Sequence, residues 1–236
     1  MFNILKKIKK KDLEIQFIAT DSDMEKIWPP PKPATHFIPQ EYKNMPRFAN
    51  NDMKVLTVKA CVPFLDAMTA GYIIPFDQDY VIDPTDTDFT FTPANFAKVE
   101  THPKQQLLPE WESIIGENAG KFENKWLIKT PPGYSCLFVH PMNRNFNPDW
   151  TIISGVVDTD SYIIPINFPF ILRKRDKQFL IKKGDPMVQV IPFKRETWKM
   201  WKGFYFEKEH GRGFKHLTSL MFDRYKRIFW KKKSFK

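Results

Sequence analysis

Proline is the residue type that most limits how this chain can fold. The 236 residues include twenty prolines but only nine glycines. Proline lacks a backbone N–H and has a fixed φ, so it interrupts helices and is confined to the edges and turns of sheets. Residues 28–33 carry four of these prolines and should be extended and polyproline-like. We therefore expect an extended, turn-rich chain rather than a helical bundle.

Composition narrows the class of protein further. With 15% aromatic residues, most of the chain should be ordered, and its length suits one large β domain with a sizeable core. No apolar run approaches the roughly 20 residues that cross a membrane, and the first residues are too charged for a secretory signal. The two cysteines, Cys61 and Cys136, give neither a disulfide framework nor a metal-binding spacing. We expect a protein of a reducing cytoplasm that is neither secreted nor transmembrane.

The formal net charge of +10 is concentrated at the two ends of the chain. Residues 1–11 contain five lysines, residues 224–236 contain seven lysines or arginines, and neither segment has an acidic residue. Removing these twelve from the 37 basic residues leaves 25 against 27 acidic ones, so residues 12–223 carry about −2. A nucleic acid or an anionic surface would therefore be bound by the tails. The alternative for the C-terminal tail is a packed helix with a solvated basic end.

Local sequence patterns divide the chain into three parts. A basic tail (1–11) precedes a β-rich, barrel-like domain (12–196), and residues 197–236 form a helical, basic extension. Within the domain, residues 95–120 are the least strand-like stretch and are predicted to be an inserted loop.

Hydrophobic periodicity predicts the individual elements. Alternating and β-branched residues predict strands along most of the domain, including one over residues 55–63. A short helix is predicted over residues 38–45, and two further helices over 197–208 and 215–230.

Four blocks of the domain contain motifs in a recognisable order. The first is Ala70-Gly71-Tyr72 with the acidic turn and strand that follow, and the second is Pro131-Pro-Gly133-Tyr-Ser-Cys-Leu-Phe-Val139. The third is Gly155-Val-Val-Asp158-Thr-Asp160-Ser-Tyr162, and the fourth is Gly184-Asp185-Pro-Met-Val-Gln189. Together they resemble the deoxyuridine triphosphatase (dUTPase) and dCTP deaminase superfamily. The resemblance implies a mainly β fold, a dUTPase-like distorted β-barrel or jelly roll, and a homotrimer with sites shared between subunits.

The sequence departs from that family where the family handles phosphate. The family has an aspartate after the tyrosine of the first motif, and this chain has Ile73. The family's Arg-Ser-Gly turn, which contacts phosphates, corresponds here to Met142-Asn143-Arg144, and Ser161 is an extra residue in the third motif. The glycine-rich segment near the family's C-terminus has only a faint counterpart in His210-Gly-Arg-Gly-Phe214. These departures imply that the fold is kept and phosphate handling is lost.

Three longer phrases resemble a family of tailed-phage proteins. They are Trp28-Pro-Pro-Pro-Lys-Pro-Ala34, Pro63-Phe-Leu-Asp-Ala-Met-Thr-Ala-Gly-Tyr72 and Lys129-Thr-Pro-Pro-Gly-Tyr-Ser135. That resemblance spans most of the chain and implies no particular function. It implies a location in the host cytoplasm or in the virion.

The turn from Asp158 to Tyr162 is the main candidate for chemistry. By resemblance, Asp158 would orient an attacking water or hold a sugar hydroxyl, with Asp160 beside it. A carboxylate within reach of a water can act as a general base, and such a hydrolase would use Mg²⁺. The alternative is that both aspartates cap a tight turn, because Asp side chains bond nearby backbone groups there.

Five further residues are candidate ligand contacts. Tyr72 and Tyr162 could stack on a base or a sugar, or pack as ordinary aromatic residues of a β protein. Asn143 and Arg144 could bind an anion, since arginine suits bidentate contacts, or Arg144 could be a surface residue. Gln189 could close a ligand site or satisfy buried backbone groups, and we favour the second role.

Two histidines, His102 and His140, each precede a proline. They lie far apart in the sequence, and no third ligand is marked by its spacing, so no metal site is predicted. His140 follows the second motif and is also a candidate ligand contact.

Three functions are compatible with these features. The favoured one is a non-catalytic phage protein that keeps the barrel and binds a protein partner or a small ligand. The second is a divergent deoxynucleotide pyrophosphatase or deaminase that uses Asp158 and Mg²⁺. The third is a nucleic-acid or membrane-surface adaptor that acts through its tails. The charge of residues 12–223 favours the first function. A triphosphate site normally has several cations or a glycine-rich loop around the phosphates, whereas this part of the chain carries about −2 and has no such loop.

Overall fold

The computed structural model describes residues 13–23, 25–49, 55–85, 89–93, 100–107, 109, 118–145, 148–203 and 225–236. Its helices are α1 (Gln40–Asn44) and α2 (Val62–Thr69), with 3₁₀ turns at Ala34–Phe37, Val58–Ala60 and Lys104–Gln106 and a π-helical turn at Tyr225–Phe229. Its strands are β1 (Gln16–Ala19), β2 (Lys32–Pro33), β3 (Tyr72–Pro75), β4 (Tyr80–Pro84), β5 (Phe89–Pro93), β6 (Glu100–Pro103), β7 (Asn118–Phe122), β8 (Trp126–Lys129), β9 (Tyr134–Val139), β10 (Trp150–Ile152), β11 (Gly155–Val157), β12 (Phe168–Leu172), β13 (Phe179–Ile181) and β14 (Pro186–Lys194). The basic segment 1–11 lies outside the described residues.

The described strands form four antiparallel sheets. Their strand orders are β11-β9-β14-β3-β2, β10-β12-β7-β6, β13-β4-β5 and β1-β8. The predicted mainly β class is confirmed. Strands β10 and β11 follow each other in the chain but belong to different sheets. This crossover leaves β11 at the edge of the five-stranded sheet, next to the turn that carries Asp158.

One hydrophobic core joins the four sheets. It contains Phe76, Phe122, Phe168 and residues from the three inner strands of the five-stranded sheet, such as Phe138, and all of these are buried. The rings of Phe122 and Phe170 stack at 4.0 Å between centroids. Each buried aromatic side chain contributes roughly 1.5–3 kcal/mol by leaving water. The shared core explains why residues far apart in the sequence fold as one body.

The strand predicted over residues 55–63 is wrong. Leu56 forms a single bridge with Phe48, a 3₁₀ turn follows, and α2 begins at Val62. Pro63 lies in the first turn of α2, where a missing N–H breaks no hydrogen bond and the fixed φ suits the helix. The β-branched residues ahead of Pro63 produced the alternation that resembled a strand.

The inserted loop predicted over residues 95–120 is also wrong in part. Strand β6 lies inside it, and β7 begins there, and the two pair with each other and extend the sheet of β12. Strand β7 has few β-branched residues, so its sequence gives a weak strand signal. A Cβ on Gly120 would lie 2.2 Å from the ring of Phe170, so close packing against β12 requires glycine at this place.

The C-terminal extension differs from its predicted helices. Residues 197–203 contain no helix, and residues 204–224 lie outside the described residues. The side chains of Trp198, Met200 and Trp201 are 85%, 93% and 83% exposed. A short amphipathic helix is stabilised mainly by burying its apolar face, and these side chains have no such burial. Of the helix predicted over 215–230, the described part is the π-helical turn Tyr225–Phe229.

Candidate functional site

The turn after β11, from Asp158 to Tyr162, is held by backbone hydrogen bonds and by the buried side chain of Thr159. The Asp158 carbonyl accepts from the N–H groups of Ser161 at 3.1 Å and Tyr162 at 2.9 Å. Between the two aspartates, Thr159 is completely buried, and its hydroxyl lies 2.8 Å from that of Thr130. Because Thr159 is fixed inside the body, the carboxylates on either side of it have fixed positions at the surface.

Asp160 forms an internal ion pair with Arg195. Both carboxylate oxygens accept from the guanidinium, and the Gly133 N–H donates to the same group at 2.8 Å. The hydrogen bonds from Arg195, followed by that from Gly133, lower the pKa of Asp160 to about 2. The Asp160 side chain is only 10% exposed. It therefore joins the end of β14 to the turn before β9, as a capping aspartate does.

Asp158 has a different environment, because its side chain is 61% exposed. The Ser135 hydroxyl donates to it at 2.6 Å, and a terminal nitrogen of Arg195 lies 3.2 Å from the same oxygen. Its other oxygen has no hydrogen bond among those the structure gives for the described residues. The geometry of Asp158 thus suits contact with an external group.

Sequence reasoning missed Ser135 and Arg195, the two side chains that hold this turn. Strand β14 pairs with β9 so that Phe193 lies opposite Ser135, and Arg195 follows immediately after the strand. The available signal was a polar residue at the start of one predicted strand and a cation at the end of another. That signal becomes useful only when the antiparallel register is known.

Arg144 and Asn143 bind the protein's own backbone. The terminal nitrogens of Arg144 donate to the carbonyls of Phe37, of Ala34 at 3.1 Å and of Met68 at 2.7 Å. Burial lowers the pKa of this guanidinium to about 10. The Asn143 amide donates to the Phe64 carbonyl at 3.0 Å. The turn Met142-Asn143-Arg144 is therefore tied to α2 and to the 3₁₀ turn Ala34–Phe37.

Gln189 satisfies buried backbone groups, as favoured from the sequence. Its side chain is fully buried. The amide nitrogen donates to the carbonyls of Ala67 at 2.9 Å and Ala70 at 2.7 Å, and the amide oxygen accepts from the Met142 N–H at 2.9 Å. Gln189 and Arg144 together fix the C-terminal end of α2.

The two candidate tyrosines lie in unlike surroundings. The Tyr72 ring makes edge contacts with Phe17 at 5.5 Å and Phe235 at 6.0 Å, and its hydroxyl donates to the backbone oxygen of Lys236 at 3.3 Å. Burial raises the pKa of Tyr72. Tyr162 is 43% exposed beside the Asp158 turn. Tyr72 therefore packs against the C-terminal end, and Tyr162 can still contact an external group.

The contacts of the two candidate histidines, His140 and His102, do not involve the Asp158 turn. The His140 ring contacts Trp150 edge-on at 4.9 Å, and burial, together with the charge of Arg173, lowers its pKa to about 4. His102 lies within 2.7 Å of the Gln106 side chain. In the part of the chain that is described, no three His, Cys, Asp or Glu side chains are placed to hold a metal ion.

A cavity of about 210 Å³ lies beside Tyr72. Its walls include Ile15, Thr130, Tyr134, Pro192 and Phe235. Neither Asp158 nor Arg144 belongs to these walls. Among the described residues, this cavity therefore does not bring Tyr72 together with Asp158 or Arg144. No helix in the described ranges has the length and apolar character needed to cross a membrane.

Solved structures similar to this chain include phage dUTPases. The dUTPase of Staphylococcus bacteriophage 80alpha is 12% identical, with a TM-score of 0.39, over 83% of this chain and 98% of that one. The dUTPase from phage phi11 of S. aureus is 12% identical, with a TM-score of 0.38 and the same two coverages. A mutant of the 80alpha dUTPase with dUpNHpp has a TM-score of 0.39 at 12% identity, over 84% of this chain and 90% of that one. No protein-family model and no curated protein matches the chain.

Proposed function

We propose that this protein is a dUTPase-like binding protein that neither hydrolyses nor deaminates deoxynucleoside triphosphates. The observation that carries this proposal is the position of Arg144. By resemblance, its turn corresponds to the one that contacts phosphates, yet both of its terminal nitrogens donate to backbone carbonyls. Breaking these bonds to bind a phosphate would leave buried carbonyls unpaired, which costs about 1–3 kcal/mol each.

The first motif supports the same proposal. Where the family has an aspartate, Ile73 is completely buried and pairs with Gln189 across β3 and β14. A carboxylate at this position would have to be buried, which costs free energy unless the charge is paired. The body also carries about −2 overall, so it lacks the excess of cations that attracts a triphosphate.

The alternative function is a divergent pyrophosphatase or deaminase. One observation favours it: Asp158 is exposed and accepts from Ser135, which leaves one carboxylate oxygen able to orient a water. A mutant of the phage phi11 dUTPase coordinates a structural Mg(II) ion. Mg²⁺ would be the cofactor of this chain only under this alternative.

The two functions are separated by an activity test on the purified full chain. The protein is incubated with Mg²⁺ and each of dATP, dGTP, dCTP, dTTP and dUTP, and pyrophosphate and ammonia are measured. We expect no release above the level given by Asp158→Asn. The matched control is Asp176→Asn, which removes another exposed carboxylate. Turnover that Asp158→Asn abolishes and Asp176→Asn retains would overturn the proposal and support the alternative.

The proposal includes a homotrimer, which is the assembly that the family resemblance implies. Sites shared between subunits would also explain why the cavity beside Tyr72 includes neither Asp158 nor Arg144. Light scattering coupled to size exclusion should give three times the chain mass of 28.0 kDa. A mass equal to a single chain would contradict this part of the proposal and leave the activity test unaffected.

A further inference from the structure

The C-terminal segment 225–236 is fixed to the body by a partly buried carboxylate contact. The indole N–H of Trp230 donates to Asp66 of α2 at 2.8 Å, and the Lys233 ammonium contacts the same oxygen. The Asp66 side chain is 22% exposed, so the bonds are partly shielded from water and from salt. This contact places a basic segment next to α2.

A second contact fixes the end of the same segment. The Phe235 ring packs edge-on against Tyr72 at 6.0 Å, and Tyr72 donates to the backbone oxygen of Lys236. Two of the segment's aromatic residues, Trp230 and Phe235, are thus used to hold it on the body. Residues 225–236 therefore lie along the protein surface with their remaining side chains in defined places.

The side of segment 225–236 that faces away from the body is both basic and aromatic. Tyr225 and Phe229 are 40% and 43% exposed and lie one turn apart in the π-helical turn. Ile228 is exposed next to them. The segment has no Asp or Glu. Five of its cations are exposed beyond the one paired with Asp66: four precede that lysine (Lys226, Arg227, Lys231 and Lys232), and Lys236 follows it.

We propose that segment 225–236 forms a binding surface for single-stranded nucleic acid. Its exposed cations would follow the phosphate backbone, and Tyr225 and Phe229 would stack on bases. Stacking on an aromatic ring is open to every base, because each base has a π face, so it does not depend on sequence. Because Trp230 and Lys233 hold the segment in place, little of its conformational freedom remains to be lost on binding.

The short length of the apolar turn favours nucleic acid over a lipid bilayer. Interfacial helices bind membranes by burying a long apolar face in the headgroup region. The described turn Tyr225–Phe229 offers three exposed apolar side chains. Base stacking needs only single exposed rings, and Tyr225 and Phe229 are two of them.

The test measures binding of a fluorescent oligo-dT to the full chain at several salt concentrations. Neutralising four phosphates on a single strand gives a log–log salt slope of about −3. We expect Lys231→Ala with Lys232→Ala to make this slope less steep by about 1.4 and to weaken binding about tenfold. The matched control is Lys182→Ala with Lys183→Ala, which removes two exposed lysines elsewhere and should leave binding unchanged.

A second variant separates stacking from lipid insertion. Phe229→Leu keeps an apolar side chain but removes the ring, so it should weaken oligo-dT binding severalfold and would leave insertion into a bilayer largely intact. Vesicles of phosphatidylserine and phosphatidylcholine are tested in parallel. The proposal is overturned if oligo-dT does not bind, or if binding is unchanged in the Lys231 and Lys232 variant. It is also overturned if vesicles bind while Phe229→Leu has no effect on either ligand. Binding of oligo-dT alone, sensitive to both changes, supports it.

Discussion

Arg195 and Asp160 form a bidentate ion pair that joins the end of β14 to the turn from Asp158 to Tyr162. Each carboxylate oxygen accepts from one terminal nitrogen of the guanidinium. A planar bidentate contact fixes the orientation of the guanidinium relative to the carboxylate as well as the distance between them. The pair lies where strands β11 and β14 end and β9 begins, so it sets the position of Asp158 and Ser135 relative to each other.

The Arg195–Asp160 pair should make stability depend on pH at strongly acidic values. The pKa of Asp160 in the folded protein is about 2, against an ordinary 3.8. A lowered carboxyl pKa contributes stability that is present above the ordinary pKa and is lost as pH falls through the folded pKa. The difference in free energy of unfolding between wild type and Asp160→Asn should therefore disappear between about pH 4 and pH 2. Urea unfolding at fixed pH values measures it.

A suitable control for that experiment is Asp176→Asn, at an exposed position. Its free energy of unfolding should follow that of the wild type over the whole range. A difference between wild type and Asp160→Asn that stays constant from pH 7 to pH 2 would show that the pair does not hold the turn.

Gln189→Leu should destabilise the protein strongly. The change removes three hydrogen bonds and leaves the Met142 N–H and the carbonyls of Ala67 and Ala70 without this partner. Buried backbone groups left unpaired cost about 1–3 kcal/mol each, so we expect a loss of about 2–4 kcal/mol after partial relaxation. Chemical denaturation of Gln189→Leu and of the exposed control Gln178→Leu measures the effect. A loss below about 0.5 kcal/mol, as expected for the control, would contradict this role.

Gly71 should tolerate no side chain. Its φ is +66°, and an added Cβ would lie 2.0 Å from the carbonyl oxygen of Val190. Gly133 has a φ of +83° but open space around it. Gly133→Ala should thus cost about 1 kcal/mol from backbone strain alone, and Gly71→Ala at least about 2 kcal/mol more. Equal melting temperatures for the two variants would contradict this prediction. They would show that β14 can move away from a side chain at position 71 without a loss of stability.

His140 should make stability fall in mildly acidic solution. Its pKa in the folded protein is about 4, against an ordinary 6.5, so between these values the unfolded chain binds more protons. Stability is therefore highest above pH 6.5 and is lost as pH falls toward 4, by about 1–2 kcal/mol for a partly exposed group. His140→Phe, which keeps an aromatic ring against Trp150, should lack this dependence. His36→Gln, at an exposed histidine, should retain it, and the reverse pattern would refute the assignment.

Strands with a clear alternating or apolar pattern could be predicted from the sequence. Strands β8, β9 and β14 are examples, and β9 and β14 also carry two of the four family-like blocks. Helix α2 was missed because the β-branched residues before Pro63 resemble a strand, and propensity gives way to tertiary packing there. Strand β7 was missed because packing of Gly120 against Phe170, rather than its own composition, places it in a sheet.

The site was less predictable than the fold. Asp158 and Asp160 could be singled out from their motif, but their different environments depend on Ser135 and Arg195. These partners lie 23 and 35 residues away from the aspartates they contact, and only the strand register brings them close. Arg144 is similar, because its carbonyl partners at Ala34 and Phe37 lie more than a hundred residues earlier.

The pairing of β1 with β8 has a consequence for how the protein is made. Gln16 lies opposite Lys129, and the Thr20 hydroxyl and N–H reach the Lys125 carbonyl across 105 residues of chain. During synthesis, β1 therefore stays unpaired until β8 has left the ribosome. Non-local pairing of this kind slows folding and leaves strand edges open to other chains. Expression yield should accordingly improve at low temperature, where the hydrophobic association of unpaired chains is weaker.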